Sequence, residues 1–235
     1  MTIGEQDGIG SARVRSEDGR LVTGHGLYTG DLFPENVCYA AVVRSEHAHA
    51  LITSIAAEAA MAAPGVLAVL TGADALADGL QPIPHNPDWR GPPDATLRMP
   101  PGFEVYLTEN LALPHERVRY VGEPLALVIA QTSAQAVDAA ERVEVDYEPL
   151  DAVVDARQAM QVGAPPIWSG CSQNLALTCE VGDEQATASA FAGAAHIIKF
   201  DSWVHRVSGV PMEPRAVVGE YDALDDRYTL HAVSG

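Results

Sequence analysis

Residues 118–155 have the sequence VRYVGEPLALVIAQTSAQAVDAAERVEVDYEPLDAVVD, and this stretch decides the fold. The apolar run 125–130 has the length of a β-strand and suits a strand that is buried on both faces. Thr132 and Gln135 then match a helix capping box, in which the Thr132 hydroxyl accepts from the Gln135 amide and the Gln135 side chain reaches back. Helical spacing continues to Val143, after which apolar and acidic residues alternate up to Pro149. The stretch therefore predicts a β-α-β unit with a buried first strand and a half-buried second strand.

A comparable strand–helix–strand pattern comes earlier in the chain. It consists of predicted strands at 37–44, 50–55 and 66–70 and a predicted helix at 56–63. The helix is rich in strong helix formers and ends at a Pro-Gly pair. Between the two patterns, residues 80–105 hold seven prolines beside Trp89 and Phe103, which excludes helix and inner strand. We expect a long ordered surface loop there, and hence an α/β (α+β) fold.

The remaining residues predict shorter elements. A short helical piece lies at 156–160, Pro165-Pro166 marks a boundary, and Asp183 caps a helix over 184–196. Strands are expected at 197–206, 215–221 and 228–233, and residues 222–227, DALDDR, join the last two as a hairpin.

The composition narrows the kinds of partner. The 235-residue chain carries 32 acidic against 14 basic residues, a formal charge of −18, which disfavours nucleic acid and membrane surfaces. Cys38, Cys171 and Cys179 form no CxxC pair, which indicates neither a disulfide framework nor an iron–sulfur motif and fits the cytoplasm. We find no signal peptide and no apolar run long enough to span a membrane.

Four ordered stretches resemble one known family. They are residues 44–52 (RSEHAHALI), 64–74 (PGVLAVLTGAD), 121–155 and 209–222 (GVPMEPRAVVGEYD). These stretches are similar to the large, molybdenum-cofactor-binding subunits of the xanthine dehydrogenase, aldehyde oxidase and aerobic carbon monoxide dehydrogenase family. The resemblance implies a flexible arm (1–23), an α/β hammerhead domain (24–155), a linker (156–181) and the first, partial portion of a molybdenum-cofactor-binding domain (182–235).

The same resemblance implies a function. Such enzymes hydroxylate a carbon of an aldehyde or N-heterocycle oxidatively, with oxygen derived from water. Molybdopterin cytosine dinucleotide would sit in a complementary C-terminal portion, and FAD and [2Fe–2S] clusters on a medium and a small partner subunit. We therefore expect no catalytic, cofactor-binding or metal residue in this chain, and an isolated chain that is inactive.

Glu213 and Arg215, in the segment Pro211-Met212-Glu213-Pro214-Arg215, are the residues most suggestive of function. Two prolines fix the backbone around a carboxylate, so the pair could form an active-site wall. We favour a structural role instead, as a buried ion pair or a corner that fixes domain packing. His47 and His49 lie at the i, i+2 spacing of a strand metal site, but no third ligand follows at a telling spacing.

Two alternatives remain. One is a stand-alone, non-catalytic hammerhead module that serves in assembly or partner binding. The other is an unrelated α/β protein that binds a small molecule and uses residues 80–105 as a lid. A closed pocket within this chain would favour the second.

Overall fold

The computed structural model describes residues 14–84, 98–171, 173–205, 207–211, 213 and 215–233. The helices in this part of the chain are α1 (Asp18–Val22), α2 (Glu58–Met61), α3 (Gly72–Ala77), α4 (Ser133–Ala140), α5 (Ala156–Ala159) and α6 (Glu184–Gly193). The strands are β1 (Tyr39–Arg44), β2 (Ala50–Ala56), β3 (Val66–Thr71), β4 (Arg117–Val118), β5 (Pro124–Ala130), β6 (Glu144–Pro149), β7 (Val217–Asp222) and β8 (Arg227–Ala232). Much of the proline-rich segment 80–105, including Trp89, lies outside the described residues.

The structure separates into two compact units. The larger unit covers residues 38–200 and holds β1–β6 with α2–α6. The smaller unit joins the described residues before 38 to those after 200. It contains α1, a 3-10 turn at Thr29–Asp31, and the β7–β8 hairpin.

Two three-stranded sheets form the larger unit. Sheet A has the order β1-β5-β3 and sheet B has the order β4-β2-β6, with antiparallel pairing throughout. Strands β5 and β6, which α4 connects, therefore lie in different sheets. The β-α-β unit predicted from residues 118–155 has the expected elements, but its two strands are not neighbours in one sheet.

The two halves of the larger unit exchange strands. The first half runs β1-β2-α2-β3 and the second runs β4-β5-α4-β6. The central strand of sheet A, β5, comes from the second half, and the central strand of sheet B, β2, comes from the first. Each sheet therefore depends on both halves of the sequence.

The core lies where these elements meet. Ala126 and Val128 of β5 are fully buried together with Ala60 of α2 and Ala139 of α4. Small residues let the two helices approach the sheet closely, and α4 packs against β1 and β5. A second buried cluster, formed by Ala50, Val118 and Leu125, belongs to sheet B and the start of β5.

Local capping follows the sequence in most respects. The Thr132 hydroxyl accepts from the Gln135 amide at 3.2 Å, and the Asp183 carboxylate accepts from the Ala186 amide at 2.8 Å, so both predicted helix starts are confirmed. The Gln135 side chain also reaches back to Thr132, where it accepts from the hydroxyl at 3.0 Å.

Three further predictions can be compared with the structure. The hairpin is confirmed, since β7 and β8 pair antiparallel around residues 222–227. The acidic side chains of β6 (Glu144, Asp146 and Glu148) are exposed, as their alternation with apolar residues predicts. The strand expected at 197–206 is wrong: the described residues of this segment have no strand structure.

The sequence reasoning missed α1, α3 and β4. The start of helix α3 could have been predicted from the sequence, because Thr71 and Asp74 have the spacing of a helix capping box. In the structure, the Asp74 carboxylate accepts from both the Thr71 amide and the Thr71 hydroxyl, each at 2.7 Å. Gly72 opens this helix where a side chain does not fit, because a Cβ would lie 2.5 Å from the Pro114 carbonyl oxygen. None of the described helices combines the length and apolarity needed to cross a membrane.

Candidate functional site

Glu213 and Arg215 occupy different environments in the smaller unit. Glu213 is half-buried, and its Oε1 accepts from the Thr29 amide at 3.1 Å. Arg215 is exposed, so the two residues do not form a buried ion pair. Met212 and Pro214, which complete the segment, lie outside the described residues.

The Glu213 carboxylate stabilises the start of the 3-10 turn. The Asp31 carboxylate accepts from the Tyr28 amide at 3.0 Å at the same place, so two carboxylates satisfy amides that have no partner within the turn. Thr29 itself is buried. This arrangement fixes the backbone and does not present Glu213 as a free general base.

His47 and His49 make separate contacts. The His49 ring is buried, with Nδ1 2.7 Å from the Asp151 carbonyl oxygen. The His47 ring packs on Tyr147, with 4.7 Å between ring centroids. Both rings therefore join the segment before β2 to the segment that contains and follows β6.

Arg119, Glu123 and Trp168 form a cluster that the sequence did not predict. The guanidinium carbon of Arg119 lies 3.7 Å from the centroid of the Trp168 ring, a cation–π contact of about 0.5–2 kcal/mol. Glu123 is 9% exposed, and its Oε2 accepts from the Arg119 amide at 2.5 Å. The cluster joins the β4–β5 connection to residue 168, far along the chain.

The backbone conformation of residues 119–123 places the Glu123 side chain back over the turn that precedes it. The Glu123 amide donates to the Tyr120 carbonyl at 3.3 Å, and Gly122 adopts a φ of +90° that favours glycine. Ser45 then ties the turn to β1, since its amide donates to the Glu123 carbonyl at 2.9 Å. A glycine directly before Glu123 was the available sequence signal, but it does not reveal burial of the carboxyl.

Burial dominates the electrostatics of this cluster. It raises the pKa of Glu123 above the ordinary value, although amide hydrogen bonds and Arg119 oppose the rise. Burial also lowers the pKa of Arg119. Among the described residues, the buried Nε of Arg119 has no hydrogen-bond acceptor. A buried donor without any partner, protein or water, lowers the stability of the folded state by about 1–3 kcal/mol.

A cleft of about 490 Å³ adjoins the cluster. Its polar lining includes Thr108, Asn110, Arg119 and Glu123. None of the described residues that line it is a histidine, cysteine or serine, so this lining offers no Ser–His or Cys–His pair. It can form hydrogen bonds but offers no evident covalent chemistry.

The described residues do not fit a metal or an iron–sulfur cluster. No group of three His, Cys, Asp or Glu side chains among them converges on one point. Cys38 and Cys179 are exposed, Cys171 is buried, and all three are free thiols. A cluster held by four thiolates needs more cysteines than these.

Comparison with known protein families identifies a domain in this chain. The model of the aldehyde oxidase and xanthine dehydrogenase a/b hammerhead domain matches residues 23–90 and 96–151. The matched region contains all six strands of sheets A and B.

Individual relatives extend the similarity along the chain. The carbon monoxide dehydrogenase large chain of Afipia carboxidovorans is 33% identical over 95% of this chain and 27% of that protein. The nicotine 6-hydroxylase large subunit of Paenarthrobacter nicotinovorans is 34% identical over 94% of this chain and 25% of that protein. The chain thus spans about a quarter of the length of these relatives.

The fold matches solved structures as well. Quinoline 2-oxidoreductase from Pseudomonas putida 86 superposes with a TM-score of 0.78 at 33% identity, over 95% of this chain and 26% of that chain.

Proposed function

The chain belongs to the aldehyde oxidase and xanthine dehydrogenase a/b hammerhead family, and we propose that it is the N-terminal segment of a molybdenum hydroxylase large subunit. The observation that carries the proposal is that the similarity covers 95% of this chain but 27% of the carbon monoxide dehydrogenase large chain. The two sequence relatives are the large chain of a dehydrogenase and the large subunit of a hydroxylase, so the comparisons favour an enzyme part over a stand-alone module.

The whole enzyme would oxidise a carbon centre of an aldehyde or N-heterocycle, with oxygen derived from water. Two of the similar proteins are named for nicotine and for quinoline, which are N-heterocycles. In this proposal the segment described here supplies a folded domain beside the catalytic portion. None of its residues is assigned a chemical step.

The cofactors would lie outside the described residues. Molybdopterin in its cytosine dinucleotide form would be bound by the complementary C-terminal portion of the large subunit. FAD and two [2Fe–2S] clusters would be carried by a medium and a small partner subunit. The free thiols, which form no cluster motif, support this division and a cytoplasmic location.

We propose the domain limits on the same basis: an arm at 1–23, the hammerhead domain at 24–155, a linker at 156–181 and the opening of the molybdenum-cofactor-binding domain at 182–235. Large apolar side chains after residue 196 support the last limit. Ile198, Phe200 and Val204 are 91%, 87% and 87% exposed, and such surface is normally covered by another part of the protein. Glu213 and Arg215 would belong to this opening part, with Glu213 fixing the turn at Thr29–Asp31 and Arg215 at the wall of the active site.

Capture of the native protein tests the proposal. An antibody against residues 24–155 is used on an extract of the source organism, and the captured material is analysed for polypeptide mass, molybdenum, iron and flavin. We expect a polypeptide about four times as long as this chain, with about one molybdenum and about four irons from two [2Fe–2S] clusters. A captured 24.9 kDa polypeptide without molybdenum or flavin would overturn the proposal.

The purified 235-residue chain provides the control. We expect it to contain no molybdenum and to show no hydroxylase activity, because it spans only about a quarter of its relatives' length and the cofactor-binding portion is proposed to lie in the rest. Stoichiometric molybdenum in this preparation would show that the cofactor was assigned to the wrong part of the protein.

A further inference from the structure

The outer face of sheet A carries a continuous apolar row. Val42 of β1 and Leu70 of β3 both pair with Leu127 of β5, so their side chains point to the same side of the sheet. The neighbouring Ala126 and Val128 point the other way, into the buried core. Val42 is 38% exposed and Leu70 is 37% exposed, so no described element covers this row fully.

A groove runs along this row beside α3. Its main part is a cleft of about 340 Å³ bounded by the apolar row, Leu80 and Leu113. The groove continues into a smaller depression along Leu76 and Leu111. Because the two parts share lining residues, the apolar surface is continuous, and a chain segment with several apolar side chains can contact both parts at once.

The rim of the groove is acidic. Among the described residues that line the main cleft, the charged side chains are Asp74 and Asp78. They are four residues apart at α3, so they lie on the same side of this short helix. The hydroxyl and amide of Thr71 hold the Asp74 carboxylate in place and lower its pKa, so it is ionised at neutral pH.

The charge pattern selects the kind of partner. A second copy of this chain would bring the same two aspartates and a net charge of −18 to the interface, which opposes association. An anionic lipid surface is disfavoured for the same reason. A partner with a positive side chain next to its apolar side chains gains from both features of the groove.

We propose that this groove docks an extended polypeptide segment of a partner protein, with branched apolar side chains on the row and an arginine or lysine between Asp74 and Asp78. The surface belongs to the larger unit alone. Docking requires no catalytic activity, so the peptide experiment can support or overturn the docking proposal independently of the molybdenum hydroxylase proposal.

Three matched peptides test the groove: acetyl-Leu-Ala-Leu-Ala-Arg-amide and its variants ending in Gln and Glu. In an extended peptide, positions 1, 3 and 5 lie on one face, so both leucines and the last side chain reach the protein together. Each peptide is titrated into the ¹⁵N-labelled 235-residue chain and followed by NMR. We expect the Arg peptide to bind at least tenfold more tightly than the Glu peptide, with the Gln peptide between them and shifts centred on Val42, Leu70, Ala75 and Leu127.

Two variants assign the charge effect. Asp78→Asn should reduce the Arg-to-Glu affinity ratio about threefold or more, and the matched control Asp138→Asn should leave it unchanged. Asp138 is exposed on α4, which packs on the opposite face of sheet A. Equal affinities for the three peptides in the unmodified chain, shifts away from the groove, or no binding at all would each overturn the proposal.

Discussion

At the scale of single residues, the buried carboxyl of Glu123 links folding to pH. Glu123 is 9% exposed, and burial raises the pKa of its carboxyl above the ordinary value of 4.5. The folded protein therefore holds the proton more tightly than the unfolded chain does. The protonated carboxyl therefore stabilises the folded state. This stabilisation is fully present below the pKa that Glu123 has in the unfolded chain, and it is lost as the pH rises through the higher pKa of the folded protein.

We expect Glu123→Gln to remove this pH dependence. The amide oxygen can still accept from the Arg119 amide, but the variant has no charge to bury. From pH 4.5 upwards, the unmodified protein should lose stability relative to the variant, by at most about 1.4 kcal/mol for each unit by which the pKa is raised. Urea unfolding between pH 4 and 8 measures the difference.

Glu144→Gln is the matched control, since Glu144 is exposed on β6. This variant measures how the same change of side chain acts on stability at an exposed position. A Glu123→Gln stability difference that does not vary between pH 4 and 8 would show that the buried carboxyl does not couple folding to pH.

Residue-level sequence reasoning succeeded where the partner atoms are close in the chain. The Thr132 and Asp183 caps depend on amides three residues away, so their spacing alone predicts them. Glu123 depends on the β4–β5 turn, on Ser45 and on the burial of the surrounding cluster. No local pattern encodes such burial, so the cluster was visible only in the structure.

At the scale of elements, residues 197–205 have the sequence pattern of a strand, but in the structure they pair with no other described strand. Ile198, Phe200 and Val204 share one face of an extended chain, and each is at least 87% exposed. Lys199 and Asp201 belong to the opposite face. The alternation of apolar and polar residues predicted a strand, but a strand also needs a partner strand, and the described residues do not supply one.

This exposed face should make the purified chain prone to aggregation. Replacing Ile198, Phe200 and Val204 together with serine should lower the aggregation rate and the fluorescence of a bound apolar dye severalfold. Unfolding of the larger unit should change little, because these side chains bury almost no area. Static light scattering and urea unfolding provide the two measurements.

The control replaces Lys199 and Asp201 with serine on the opposite face. It should leave aggregation unchanged or raise it, since it removes charge from the same segment. If the apolar triple variant aggregates as fast as the unmodified chain, the β7–β8 hairpin is the better candidate, because its two strands also leave backbone edges open.

At the scale of the whole molecule, strand exchange is the main feature that the sequence did not predict. Alternation and capping locate strands and helices, and they identified comparable strand–helix–strand patterns in both halves. They do not say which strand pairs with which. Pairing β5 with β1 and β3, and β2 with β4 and β6, depends on contacts between residues up to 99 positions apart, as in the pair Ala50 and Pro149.

This exchange predicts that neither half folds alone. Fragments 38–84 and 98–160 each lack the central strand of the sheet that contains most of their own strands. A strand pair without its central neighbour leaves apolar area and backbone groups exposed. We expect each fragment alone to show no cooperative unfolding transition in urea. An equimolar mixture of the two fragments should recover the far-UV circular dichroism signal of β-strands and a single cooperative transition.

A variant of the second fragment tests whether recovery requires the native pairing. Val128 of β5 is fully buried and pairs with both Ala41 and Val69, so Val128→Asp should abolish recovery by placing an unpaired charge in the core. Val137→Asp, on an exposed position of α4, should leave recovery intact. If either fragment unfolds cooperatively by itself, each half contains a sufficient core, and the exchanged central strands are not what holds the domain together.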